Sequence, residues 1–102
     1  IGDTATITTK IYNTDGSSLS GGGSCNTTGT DTTISVVYAI NTHGTLSTTS
    51  QSVTLKGSTT TTCPDSFAAY YFYITLTGAT RGTAAITANR FSMQKTIYVD
   101  IE

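Results

Sequence analysis

The residues that could carry out chemistry are few: one histidine, two cysteines and six carboxylates. A nucleophilic triad or a Cys–His pair would have to use His43, because the nucleophile needs a base within hydrogen-bond distance. His43 lies in an Asn-Thr-His-Gly turn sequence, which favours a solvated turn residue. The carboxylates fall mainly in turn-like segments and near the ends of the sequence; they are Asp3, Asp15, Asp31, Asp65, Asp100 and Glu102. We therefore expect neither a catalytic site nor an enzyme.

Metal binding meets the same shortage of ligands. Asn13, Asp15 and Gly16 resemble part of a calcium-binding loop, but Ile11 and Gly22 occupy positions that such a loop fills with ligands. The spacing of the two cysteines fits no zinc site, and a single histidine adds little. The sequence predicts no metal site and no cofactor.

Cys25 and Cys63 are the only cysteines. An even count in a chain of exported character predicts one disulfide, and two buried free thiols in a cytosolic protein are the alternative. We expect this disulfide to hold the glycine-rich segment 17–31, which is predicted to be a loop, against segment 58–65.

Hydroxyl residues dominate the composition, with 25 threonines and 11 serines, while charged residues make up only 11%. Threonine is β-branched and favours strands, and a surface rich in hydroxyls is typical of exported proteins. We therefore expect an extracellular or periplasmic location. Five scattered lysines and arginines form no basic face for nucleic acid. The longest apolar run, residues 67–74, is too short to insert into a membrane.

Alternating apolar residues predict strands in six segments, and no segment predicts a helix. The clearest alternation runs through 5–11, 34–40 and 67–77, and weaker signals surround 53–55, 84–88 and 97–101. Turn residues separate these segments. The prediction is an all-β fold: a single antiparallel sheet or sandwich domain of about six or seven strands spanning residues 1–102.

Five of the nine aromatic residues fall within residues 67–73. Tyr70 and Phe72 share a face with later apolar residues and are predicted to be core. Tyr71 and Tyr73 lie on the other face and are predicted to form a partner interface, where tyrosine is enriched. A stacking platform for carbohydrate is the competing interpretation, although the chain has no tryptophan.

Glycosylation is a weaker prediction. Asn26-Thr27-Thr28 is an acceptor sequon in a segment predicted to be a surface loop, although this composition produces about one such sequon by chance. The hydroxyl tract 59–62 is a compositional candidate for O-linked sugars.

The threonine-rich β-chain, the glycine-rich loop, the cysteine pair and the tyrosine-rich strands together resemble the globular domains of pilins and other extracellular filament subunits. More specifically, the chain is similar to the helix-less subunit of split type IV pilins (geopilin domain 2). Its start, Ile1-Gly2-Asp3-Thr4-Ala5-Thr6, leads directly into a strand, and no long apolar pilin helix is present.

That resemblance implies a structural subunit of an extracellular or periplasmic pilus-like filament. The chain would be the outer globular part, and its partners would be a separate helical pilin chain and like subunits. A carbohydrate-binding or adhesive Ig-like module of a cell-surface protein is the alternative function.

Overall fold

The computed structural model describes residues 1–59 and 61–102. This part of the chain contains no helix, and hence none that is long and apolar enough to cross a membrane. It contains nine strands: β1 (Thr4–Ile11), β2 (Leu19–Ser20), β3 (Thr32–Ile40), β4 (Gly44–Leu46), β5 (Ser50–Leu55), β6 (Ser66–Phe67), β7 (Tyr70–Gly78), β8 (Gly82–Arg90) and β9 (Met93–Ile101).

The strands form three antiparallel sheets, with orders β1-β7-β4, β2-β6 and β5-β3-β8-β9. The predicted all-β fold is therefore confirmed. The six predicted strand segments correspond to β1, β3, β5, β7, β8 and β9. The three further strands are only two or three residues long, which is too short to produce a recognisable alternation.

The chain divides into two compact units. The first comprises Ile1–Thr9, Ser35–Gln51 and Phe72–Glu102, and the second comprises Lys10–Ile34 and Ser52–Tyr71. The prediction of a single domain spanning residues 1–102 stays a prediction.

The core of the first unit follows the alternation seen in the sequence. Inward-facing positions of its strands carry the buried side chains Ile7, Val36, Tyr38, Phe72, Ile74, Leu76, Ala84 and Ile86. Tyr38 is the one buried side chain in this set with a polar group, and its hydroxyl lies 2.7 Å from Oγ1 of Thr9. That hydrogen bond removes the cost of burying an unpaired phenol.

The second unit has a small core in which backbone packs on backbone. Its buried side chains are Leu19, Ile34, Leu55 and Ser58. The amide of Gly29 donates to the carbonyl of Ser58 (2.7 Å), and the amide of Ser58 donates to the carbonyl of Gly22 (3.0 Å). A Cβ atom on Gly29 would lie 2.6 Å from the amide nitrogen of Ser58 and closer still to the carbonyl of Gly22. This close approach requires glycine.

The prediction that segment 17–31 is an irregular loop is therefore only partly right, because the segment contains β2. Leu19 and Ser20 of β2 pair with Phe67 and Ser66 of β6. The predicted disulfide is confirmed: Cys25 and Cys63 are bonded, with 4.5 Å between their Cα atoms. As expected, the glycine-rich segment lies against the segment around Ser58.

The last two strands of the first unit form a long hairpin. β8 and β9 pair over nine positions, from Gly82 opposite Ile101 to Arg90 opposite Met93. The connecting loop has two residues, Phe91 and Ser92, and Phe91 has a φ of +52°. This left-handed conformation is uncommon for a bulky residue.

Candidate protein-binding surfaces

The aromatic strand β7 alternates between buried and exposed side chains. Phe72 and Ile74 are 5% and 2% exposed, whereas Tyr71 and Tyr73 are 45% and 60% exposed. The division into two faces is the one that the alternation predicts. Tyr70 is half-buried, and its ring meets that of Phe67 edge to face with 5.5 Å between centroids. Tyr71 and Tyr73 are thus accessible to a partner, as a binding role requires.

The residues of β4 and of the segments after it that hydrogen-bond to β7 near Tyr73 are polar but uncharged. The amide of Ser47 donates to the carbonyl of Thr75 (2.8 Å), and the Oγ of Ser47 accepts from the Thr75 amide (2.9 Å). Gln51 Nε2 donates to the Tyr73 carbonyl at 3.2 Å. Neither β4 nor β7 contains a charged residue. A partner that covers Tyr73 would therefore remove no charge of these two strands from water, so it avoids a large desolvation cost.

A second set of exposed apolar side chains was not predicted. It consists of Phe91, Met93, Ile97 and Tyr98 at the β8–β9 hairpin, and these side chains are 90%, 62%, 40% and 71% exposed. We call this set the hairpin surface, although Met93 and Ile97 lie on one face of β9 and Tyr98 lies on the other. Alternation groups Ile97 with the inward-facing residues Val99 and Ile101, and Ile97 does lie opposite the buried Ile86. It remains exposed because β9 is the last strand of its sheet.

His43 is more constrained than a solvated turn residue. It is half-buried, and its Nδ1 lies 3.0 Å from the hydroxyl of Thr80. Its carbonyl accepts from the amides of Ala79 (2.9 Å) and Thr80 (3.1 Å). Its ring lies over Gly82, where a Cβ atom would be 2.7 Å from Nδ1. The histidine thus joins two turns, and the Thr80 hydroxyl is the hydrogen-bond partner of its Nδ1.

The carboxylates in the turns accept hydrogen bonds from backbone amides. Asp31 accepts from the Gly57 amide (2.9 Å) and from the Lys56 ammonium (3.3 Å), and Asp65 accepts from the Lys56 amide (2.9 Å). The Gly57 amide, followed by Lys56, lowers the pKa of Asp31 below its ordinary value. These contacts hold the segment that follows β5.

Asp15 has a similar role in the turn after β1. The carbonyl of Asn13 accepts from the amide of Gly16, and Asp15 accepts from both the hydroxyl (2.6 Å) and the amide (2.9 Å) of Ser17. Its pKa is lowered, mainly by the Ser17 hydroxyl. The segment that resembled a calcium loop is therefore a β-turn. Across residues 1–59 and 61–102, no three His, Cys, Asp or Glu residues are grouped in a way that could hold a metal ion.

The sequon residue Asn26 is exposed in a turn beside the disulfide. The Thr27 amide donates to the Ser24 carbonyl (3.1 Å), and Asn26 has a φ of +69°. The Thr27 hydroxyl also donates to the Ser24 carbonyl, at 2.7 Å. Of the tract 59–62, Thr60 lies outside the described residues. Glycosylation of Asn26 and of this tract stays a prediction.

No protein-family model, curated protein or solved structure matches the chain. The class to which it can be assigned is therefore the one that its own fold defines. It is an all-β chain with one internal disulfide, and it exposes two tyrosines on β7 and the apolar side chains of the hairpin surface.

Proposed function

We propose that this chain is a structural subunit of an extracellular or periplasmic pilus-like filament. In this proposal it forms the outer globular part and binds a separate helical pilin chain through the exposed face of β7. The resemblance to the helix-less subunit of split type IV pilins supports this assignment, and the fold is compatible with it because no helix occurs in the described residues.

The observation that carries the proposal is the exposure of Tyr73. A ring that is 60% exposed on a nine-residue strand without charges offers a partner apolar area that can be buried without removing a charge of that strand from water. Tyrosine supplies a large apolar ring with a polar hydroxyl, which suits it to an interface that is dry at its centre and wet at its rim.

The disulfide supports the proposed location. Disulfides form and persist in oxidising compartments, such as the periplasm and the cell exterior. The scarcity of charge is consistent with the same setting. The crosslink would stabilise a small exported domain by restricting its unfolded state.

The experiment is to co-express this chain, fused to an export signal, with short helix-forming pilin subunits of the same genome. Secreted material is imaged by negative-stain electron microscopy and probed for this chain. We expect the wild-type chain to coat filaments, and Tyr73→Lys to leave them uncoated or absent, because the ammonium would be buried without a partner. Tyr71→Lys tests the other exposed tyrosine of β7 in the same way.

The matched control is Tyr12→Lys, which changes a tyrosine outside β7 that is exposed to a similar extent (54%). Circular dichroism of each variant checks that it folds. Filaments coated equally by wild type and Tyr73→Lys would contradict the proposal, as would the failure of every helical subunit to retain the wild-type chain. Binding on a glycan array that is lost in Tyr73→Lys would instead support the carbohydrate-binding alternative.

A further inference from the structure

We infer that the edge of β9 pairs with β9 of a second copy of this chain, which joins two four-stranded sheets into one. This interaction is separate from the proposed contact of β7 with a helical chain and does not depend on it. Four features of the β8–β9 hairpin carry the inference: its open edge, its exposed apolar side chains, the directions of its backbone groups and the order of its charges.

The open edge follows from the sheet order. β9 is the terminal strand of the sheet β5-β3-β8-β9, and in the described part of the chain its only neighbour in the sheet is β8. It is nine residues long. A long terminal strand presents a row of amide and carbonyl groups that another strand can pair with. Proteins usually prevent this with short strands, prolines or several lysines, whereas β9 has one lysine and no proline.

The other long terminal strands are less suited to pairing. β1 and β5 are the terminal strands of their sheets, and neither contains an exposed large apolar side chain. β9 exposes Met93, Ile97 and Tyr98. Burial of such side chains adds a hydrophobic contribution to the hydrogen bonds of an added strand. The inference therefore concerns β9 in particular.

The backbone directions follow from the contacts of β8. The amide of Asn41, the residue after β3, donates to the carbonyl of Ala85 (3.4 Å), so the backbone groups of Ala85 point away from β9. Ala85 lies opposite Tyr98, and these two residues are therefore a non-hydrogen-bonded pair. Hydrogen-bonded and non-hydrogen-bonded pairs alternate along an antiparallel ladder. The amides and carbonyls of Met93, Lys95 and every second residue after them therefore point toward β8. Those of Gln94, Thr96, Tyr98 and Asp100 point toward the open edge.

Self-pairing has one register that uses the whole strand, in which Ile97 lies opposite Ile97 of the copy, because Ile97 is the midpoint of Met93–Ile101. Each outward-pointing residue then faces another one: Thr96 lies opposite Tyr98, and Gln94 opposite Asp100. On the other face, Lys95 lies opposite Val99. No like charges meet, and Gln94 can donate to the Asp100 carboxylate of the copy.

This register can be tested by changing the charge at Gln94, which is exposed. Gln94→Lys places an ammonium opposite Asp100 of the copy at two symmetric positions, and Gln94→Glu places a second carboxylate there. Cross-strand charge pairs contribute modestly, so we expect the dimer dissociation constant to fall about two- to thirty-fold in the first variant and to rise by a similar factor in the second. Sedimentation velocity over a range of concentrations measures both constants.

The matched control separates register from net charge. Thr6→Lys and Thr6→Glu make the same charge changes at an exposed residue of β1, and we expect much smaller shifts there. Amide hydrogen exchange gives a second readout. On dimerisation the amides of Thr96 and Tyr98 should gain protection, whereas those of Lys95 and Ile97 are already bonded to β8.

A wild-type chain that stays monomeric at millimolar concentration overturns the inference, even if another polypeptide binds β9. Equal shifts at positions 94 and 6 also overturn it. Dimers that persist in Tyr73→Lys distinguish this interface from the proposed filament contact, so either proposal can fail while the other stands.

Discussion

Removal of the Cys25–Cys63 disulfide should cost a large share of the stability of this chain. The bond closes a loop over a sequence separation of 38 residues. In the chain-entropy treatment, a loop of this length restricts the unfolded state by about 4 kcal/mol at 25 °C. Proteins of this size have unfolding free energies of about 5 to 15 kcal/mol. The double variant Cys25→Ser/Cys63→Ser should therefore melt about 15 to 30 °C lower than the oxidised protein.

The structure also indicates which segments should lose stability first when the disulfide is removed. Within the second unit, the amides of Gly22, Gly29 and Ser58 are bonded to backbone carbonyls of the segments that the disulfide joins. These amides should exchange faster in the double variant under native conditions. The amide of Tyr38, which donates to Thr49 in the first unit, should change less.

The assays are thermal unfolding followed by circular dichroism and amide exchange followed by NMR. Addition of reductant to the oxidised protein should reproduce the melting temperature of the double variant, and reductant should not affect the double variant itself. A melting temperature that changes by less than about 3 °C would refute the reasoning, because the calculated loop entropy corresponds to several times that shift.

Three further substitutions test the fold. Gly29→Ala should lower the free energy of unfolding by about 1 to 3 kcal/mol, because the added Cβ atom meets backbone atoms. Gly16→Ala should cost less, because position 16 has open space for a Cβ atom and only its positive φ is unfavourable. Chemical denaturation ranks the two variants, and the reverse order would contradict the packing. Tyr38→Phe should cost about 0.5 to 1.5 kcal/mol by leaving its hydroxyl partner unsatisfied, and an unchanged denaturation midpoint would count against that hydrogen bond. The lowered pKa of Asp31 stabilises the folded state above the ordinary carboxyl pKa, and this stabilisation is lost as the pH falls below about 4. Asp31→Asn should therefore flatten the acid limb of the stability–pH curve relative to wild type, and equal curves for the two proteins would contradict the assignment.

Local alternation accounts for what could be predicted of the fold. Strand β3 places Ile34, Val36 and Tyr38 in the interior because every second side chain points the same way, and the sequence shows this pattern directly. The same reasoning separates Phe72 from Tyr71 and Tyr73. Long strands with one apolar face are therefore readable from sequence.

Contacts between distant segments account for what could not be predicted. Gly22 and Gly29 belong to a segment with the composition of a flexible loop, yet their packing against Ser58 depends on segments some 30 residues apart. The hairpin surface was missed for a related reason. Whether Ile97 is buried depends on which strand lies at the edge of the sheet. The order of the strands cannot be read from the alternation of apolar residues along the sequence.

The most direct test of the proposed assembly role is site-specific photo-crosslinking at position 73 in cells that export this chain. Tyr73 is replaced by p-benzoylphenylalanine, the cells are irradiated, and crosslinked products are identified by mass spectrometry. The control places the same amino acid at Tyr12, which is exposed to a similar extent outside β7. The account predicts a crosslink from position 73 to a short helical pilin chain, and none from position 12. The absence of any crosslink from position 73, or the same crosslinked products from both positions, would contradict the account.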